Sequence, residues 1–178
     1  MSQTVDRADT ERVETGDYDA VVVGAGFSGL YMLHRLRNEM GLSVKLIEKA
    51  DDVGGAWYWN QYPGARCDSP SWVYCFSFSE EIRNEWQYGE RFPEQSEIQE
   101  YQRFVADKLD LWKSIQFKTE VTSAAFDDES ERWQIGTDDG TTYSAQFFIP
   151  APGALTNSFV PYFSRLDSFA ADLYHTSN

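Results

Sequence analysis

Cysteine, histidine and lysine are scarce in this sequence, and each shortage closes off a class of function. The two cysteines, Cys67 and Cys75, form no CxxC pair, and the two histidines, His34 and His175, lie far from them in sequence. That argues against a zinc site and against a disulfide framework, leaving both thiols as small buried or site-lining groups. Only five of the 15 basic residues are lysines, against 29 acidic residues, for a net charge of −14. A surface of that sign repels nucleic acid and anionic membranes, so neither is expected as a partner. It suits a salt-rich host, where ions screen its self-repulsion, and equally an ordinary acidic protein. No run approaches the roughly 20 apolar residues that span a bilayer. The N-terminus lacks the basic cap and apolar stretch of a secretion signal. A soluble, cytoplasmic protein is the expectation.

What the chain does have is apolar and aromatic side chains, 42% and 16% of its residues. That is too much for a disordered polypeptide, and the length fits one domain or part of a larger one. Residues 1–17 are polar and aperiodic and read as a disordered acidic tail. Tyr18 to Val23 is a short apolar run of the buried, parallel-sheet kind, ending at Gly24. Phe27, Leu30, Leu33, Leu36 and Met40 then recur at helical spacing before Gly41, and a second strand covers Ser43 to Glu48. Strand, glycine-rich turn, helix and strand make a βαβ opening.

Residues 51–93 are irregular and crowded with Trp, Tyr, Gly and Pro, the mark of a functional segment. A helix is predicted from about Gln95 to Trp112, with Ile98, Tyr101, Val105 and Leu109 on one face and Ser96 as a possible cap. Strands at 115–121, 123–126, 132–137 and 141–149 follow, with Asp138-Asp139-Gly140 as a hairpin turn. They read as a small antiparallel excursion that returns to the main sheet. The fold class is therefore α/β, a Rossmann-like βαβ domain with an antiparallel β insertion.

Gly24-Ala25-Gly26-Phe27-Ser28-Gly29 fits G-x-G-x-x-G in the context that gives the motif its chemistry. Gly24 permits the tight turn, Gly26 lets a pyrophosphate approach the backbone, and Gly29 lets the helix pack close to the sheet. The helix N-terminus offers N–H groups and a partial positive charge to phosphate. Glu48, closing the second strand, is placed for ribose hydroxyls, and an acid there disfavours a 2′-phosphate. This site should hold FAD or NAD. Gly54-Gly55 favours FAD: an NAD dehydrogenase normally enters another helix here, whereas a glycine doublet followed by Trp57 and Trp59 suggests backbone against an extended ligand, walled by aromatics. The same doublet also reads as a plain turn before a tryptophan-rich core patch.

With Gly24–Gly29, Glu48 and the run Gly54-Gly55-Ala56-Trp57-Tyr58-Trp59-Asn60-Gln61-Tyr62-Pro63-Gly64-Ala65-Arg66-Cys67-Asp68 together, the chain resembles the type I Baeyer–Villiger flavoprotein monooxygenases of the phenylacetone and cyclohexanone kind. Tyr74 to Ser79 and Phe104 to Lys108 continue the likeness, which covers everything after the tail. Phe169, His175 and Thr176 match the linker signature F-x-G-x-x-x-H-T-x-x-W-P, with Ala171 in place of its glycine. The resemblance implies an FAD-binding domain over 18–163 and the start of a linker over 164–178. A second dinucleotide-binding domain, for NADP, would lie outside this chain. Ala151-Pro152-Gly153 departs from the usual Ala-Thr-Gly or Ala-Ser-Gly, and Pro152 removes an N–H from the flavin side.

In such enzymes NADPH reduces FAD, and a flavin C4a-peroxide inserts one oxygen of O2 beside a ketone carbonyl to give an ester or lactone. Carried onto this sequence, the cofactor-binding positions are Gly24, Gly26, Phe27, Ser28, Gly29, Glu48, Lys49, Gly55, Ala56, Trp57, Tyr58, Trp59, Tyr74 and Val121. Arg66, Cys67 and Asp68 resemble the segment on the nicotinamide side. Asp68 is the catalytic candidate, as the partner of an arginine in the second domain; a turn-forming Asp ahead of Ser69-Pro70 is the plainer reading. His175 reads as a domain-coupling residue. The implied partners are a ketone and O2, and the oligomeric state is open. Acting alone, the chain is expected not to turn over. An N- or S-oxygenating flavin monooxygenase and a non-catalytic truncated flavoprotein are the alternatives.

Overall fold

The computed structural model describes residues 15–155 and 158–176. Of the expected disordered tail at 1–17, residues 1–14 lie outside the described residues, and 15–17 belong to a strand instead. Strand β1 (Thr15–Val23) is followed by helix α1 (Phe27–Leu33), which runs on through 34–39 in a wider turn, with Met40 N–H bonded to the Arg35 carbonyl at 3.1 Å. Strand β2 (Val44–Ile47) completes the crossover, and β1 and β2 pair in parallel from Ala20 opposite Val44 to Val23 opposite Ile47. Strand β1 starts three residues earlier than the sequence suggested, because Thr15 to Asp17 pair with a strand far along the chain.

That partner is β6 (Thr142–Pro150). The sheet order is β3-β2-β1-β6-β5-β4, with β3 (Ile115–Gln116), β4 (Val121–Asp127) and β5 (Arg132–Thr137). β4, β5 and β6 form an antiparallel meander that rejoins β1 in parallel, as the expected excursion requires. Gly140 makes its turn at φ +84°, with Gly140 N–H to Thr137 O at 3.2 Å.

Alternation along β1 sorts its side chains by face. Ala20 and Val22 join Leu30, Leu33, Leu46 and Leu111 in one core, while Val21 packs with Ile47, Ile135, Tyr143 and Ala145 in another.

The irregular stretch after β2 contains two short helices, α2 (Ala56–Trp59) and α3 (Glu80–Glu85), and rests on α4 (Gln95–Lys108). α4 ends four residues before Trp112, and its N-cap is Glu94 without a side-chain bond, so Ser96 is not the cap. Fully buried Tyr101 is the hub of this region, touching the rings of Phe27, Phe76, Trp86 and Tyr88. Its hydroxyl accepts the Phe76 N–H at 2.8 Å. Each such aromatic pair adds about 0.5–1.5 kcal/mol beyond area burial. That is how an aperiodic segment is held in one shape.

Candidate functional site

The glycine turn between β1 and α1 forms the floor of a groove of about 590 Å³, within the roughly 300–1,000 Å³ usual for small-molecule sites. Gly24 sits at φ +99°, where a Cβ would lie 2.5 Å from the Ala151 carbonyl. A Cβ on Gly29 would stand 1.7 Å from the Gly24 carbonyl, so this glycine is demanded by helix-to-strand packing. Gly26 is the N-cap of α1 and makes no side-chain cap bond; the helical ladder begins with Leu30 N–H to Gly26 O at 3.0 Å. No acid stands in the first turn. The start of α1 is thus left to anions from the groove.

Glu48 is only 6% exposed, and its carboxylate accepts two backbone N–H bonds, from Ala25 at 2.5 Å and from Ala50 at 2.7 Å. The acid therefore braces the glycine turn from across the crossover; Glu48 also lines the groove, and each oxygen has acceptor capacity beyond its one bond. Lys49 Nζ meets Glu120 Oε2 at 3.0 Å beside it, and Thr119, Glu120 and Val121 continue this wall.

Gly54, Gly55, Ala56, Trp57, Trp59 and Tyr74 make another wall. The glycine doublet is held by the fold as well as facing the groove. Gly54 N–H bonds Ala25 O at 3.0 Å, and Gly55, at φ +54°, lies so near Gly26 that a Cβ would be 2.9 Å from the Gly26 Cα. Trp57 Nε1 donates to Tyr74 Oη at 3.2 Å, and the Phe27 and Tyr74 rings meet edge-on at 5.2 Å. Burial pushes the Tyr74 phenol up, only partly offset by the Trp57 bond, which keeps it a neutral acceptor.

The remaining sequence candidates stand apart. Gly29 is buried behind the turn, and Tyr58 does not line the groove but donates its hydroxyl to Asp51 at 2.8 Å. Arg66 is engaged by Glu90 and, at 2.6 Å, by Glu94, which pins the loop to the foot of α4. Cys67 is buried, Cys75 half-buried, and neither lines the groove. Asp68 is exposed outside the groove, close enough to act electrostatically on Tyr74. His175 is half-buried in an otherwise largely exposed C-terminal segment, while Asn178 is outside the described residues. Sequence reasoning missed Thr119 and Glu120, whose only signal is their place after a two-residue strand. Pro152 does reach the groove, alongside Ala151 and Gly153. Among the described residues no helix is long and apolar enough to cross a membrane.

Comparison with known proteins agrees with this geometry. The family described as NAD(P)-binding Rossmann-like domain matches residues 22–88. The chain is 45% identical over 165 residues, 93% of its length, to an acetone monooxygenase (methyl acetate-forming) from Gordonia sp. (strain TY-5), covering 31% of that protein. A Baeyer–Villiger monooxygenase from Pseudooceanicola batsensis is 44% identical over 94% of the chain and 31% of the relative. A phenazine N-monooxygenase from Lysobacter antibioticus is 43% identical over 89% and 29%. The solved structure of an oxidized steroid monooxygenase bound to NADP superposes with a TM-score of 0.81 at 50% identity, over 90% of this chain and 31% of that one. The chain spans about a third of the length of the curated relatives it matches.

Proposed function

From its kinship with the Baeyer–Villiger monooxygenases, we propose that this chain is the FAD-holding part of an NADPH-dependent enzyme that inserts one oxygen atom of O2 beside a ketone carbonyl. The supporting observation is the open groove, in which an uncapped helix start, a buried acid and a tryptophan wall converge on one glycine turn.

The residues present fit FAD. The N–H groups at the start of α1 and the bare backbone of Gly26 would take the pyrophosphate. Glu48 would accept ribose hydroxyls while repelling a 2′-phosphate, and Val121 would meet the adenine through its backbone. Trp57, Trp59 and Tyr74 would orient the ring system and exclude water from it. FAD bound there supplies the redox and oxygen-activating chemistry. Asp68, on the surface beside this wall, would hold an arginine of an NADP-binding domain in place. The NADPH, that domain and most of the ketone pocket would come from the length that the relatives possess beyond the matched third.

The test is reconstitution. The purified chain, mixed with FAD and desalted, is expected to stay yellow and to quench flavin fluorescence in a saturable titration. No retained flavin at tens of micromolar FAD (a loose bound for a cofactor site) would overturn the proposal and favour a non-catalytic product. The phenazine N-monooxygenase relative supports a second reading, heteroatom oxygenation. Product analysis on the complete parent polypeptide, ester against N-oxide or sulfoxide, separates the two.

A further inference from the structure

Helix α4 presents two unlike faces to its surroundings. One is apolar and packs through Tyr101 and Val105 into the aromatic cluster. The other carries Gln95, Gln99 and Gln102, spaced i, i+4 and i+7 and so aligned along the helix. Each glutamine donates its side-chain amide to a backbone carbonyl of one short segment. Gln99 Nε2 reaches Val53 O at 3.2 Å, Gln102 Nε2 reaches Gly54 O at 3.0 Å, and Gln95 Nε2 reaches Trp57 O. Gln95 also donates to Gln99 Oε1 at 3.2 Å, which joins the row together.

The glutamine amides add donors where the backbone supplies few. The segment passes through Gly54 at φ +145° and Gly55 at φ +54° before α2 begins, and Gly54 O takes the Trp57 N–H at 3.1 Å as well as the Gln102 amide. Gln102 carries the most telling detail. It is completely buried, and its Oε1 finds no hydrogen-bond partner among the described residues. Leucine would avoid that orphaned oxygen. An amide at this place is accounted for by its other end, the bond to Gly54.

We propose that Gln95, Gln99 and Gln102 are positioning residues that set the height of the Gly54–Trp57 segment against the glycine turn, and through it the floor on which a flavin nucleotide rests. The link to the turn is direct, because Gly54 N–H bonds Ala25 O and Gly55 abuts Gly26. The second half of this proposal rests on the assignment of the groove to FAD.

The experiment compares Gln95→Met, Gln99→Met and Gln102→Met, which keep length but remove the donor, with Ile135→Val, a mild core change on the opposite sheet face. Amide hydrogen exchange is followed at 54–59 in the flavin-free chain, and FAD affinity by quenching of flavin fluorescence. Each glutamine variant is expected to speed exchange there and raise the FAD Kd by about five- to tenfold, the size expected for one lost hydrogen bond. Ile135→Val should do neither. Unchanged exchange in the glutamine variants, or equal effects from Ile135→Val, overturns the clamp. Faster exchange with unaltered Kd overturns its link to the cofactor. If Gln102→Met fails to fold, half-buried Gln95→Met still decides the question. A parent chain that binds no FAD refutes the function proposed above, while exchange still tests the clamp.

Discussion

Replacing Gly26 by alanine separates what the fold requires from what a ligand requires. Gly26 has φ −84° and ψ −169°, a conformation open to any L-residue, and a Cβ there would meet nothing nearer than the Gly55 Cα at 3.4 Å. In the flavin-free chain the change should gain about 0.4–1 kcal/mol from a stiffer unfolded state. It should lose a few tenths, because alanine is a poorer N-cap than glycine. Stability should therefore stay within about 1 kcal/mol of the parent. The methyl group, however, stands at the spot where pyrophosphate oxygens would approach the backbone. Losing one charge-assisted bond there, about 1.5–3 kcal/mol, weakens FAD binding roughly ten- to a hundredfold. Gly29→Ala gives the opposite pattern. Its Cβ would lie 1.7 Å from the Gly24 carbonyl, so α1 must lift off the sheet, at a cost of about 3 kcal/mol or more. Urea unfolding followed by circular dichroism reads the first quantity, and a flavin fluorescence titration reads the second. A folded Gly26→Ala chain that binds FAD within twofold of the parent would refute the placement of the pyrophosphate. A Gly29→Ala chain as stable as the parent would refute the packing.

Glu48→Gln leaves one of the Ala25 and Ala50 N–H groups without an acceptor and should lower stability by about 1–3 kcal/mol, seen as a reduced urea midpoint at constant slope. An unchanged midpoint would show that the carboxylate does not brace the turn. Burial first, then Arg35 and Arg37, pull the His34 imidazole below its ordinary value near 6.5, outweighing the Glu39 carboxylate 3.2 Å away. The unfolded chain then takes up the proton first, so stability is complete above about pH 6.5 and declines as the pH falls toward the folded value. His34→Gln should flatten that part of the pH profile, and an unaltered profile would remove His34 as its source. Asp68→Asn, at an exposed position outside the groove, should leave FAD affinity within twofold; a tenfold loss would place its side chain against the flavin.

The βαβ opening was legible because its signals are local. Val21 and Val22 mark a buried strand, the three fingerprint glycines mark a turn with special backbone needs, and Glu48 follows at the end of the next strand. The meander was legible for the same reason, down to Gly140 in its hairpin. Ser96 misled because a polar residue near a helix start is a common sign of a cap and not a sufficient one. The backbone turns from extended (φ −70°, ψ 159°) to helical at Glu94, so the cap falls there and Ser96 lies inside the helix. Arg66, Cys67 and Asp68 are adjacent to the tryptophan loop in sequence, yet the pull of Glu90 and Glu94 on Arg66 carries that stretch away from the groove.

By itself, then, the sequence determined the crossover, the turn chemistry and the kind of nucleotide site to look for, since each depends on residues within a few positions of one another. Only the tertiary structure decided that Glu48 braces Ala25, that Gly55 lies on Gly26 and that a glutamine row grips the intervening segment. Those contacts join residues separated by tens of positions, and which distant donor meets a buried carbonyl is settled by how the layers pack.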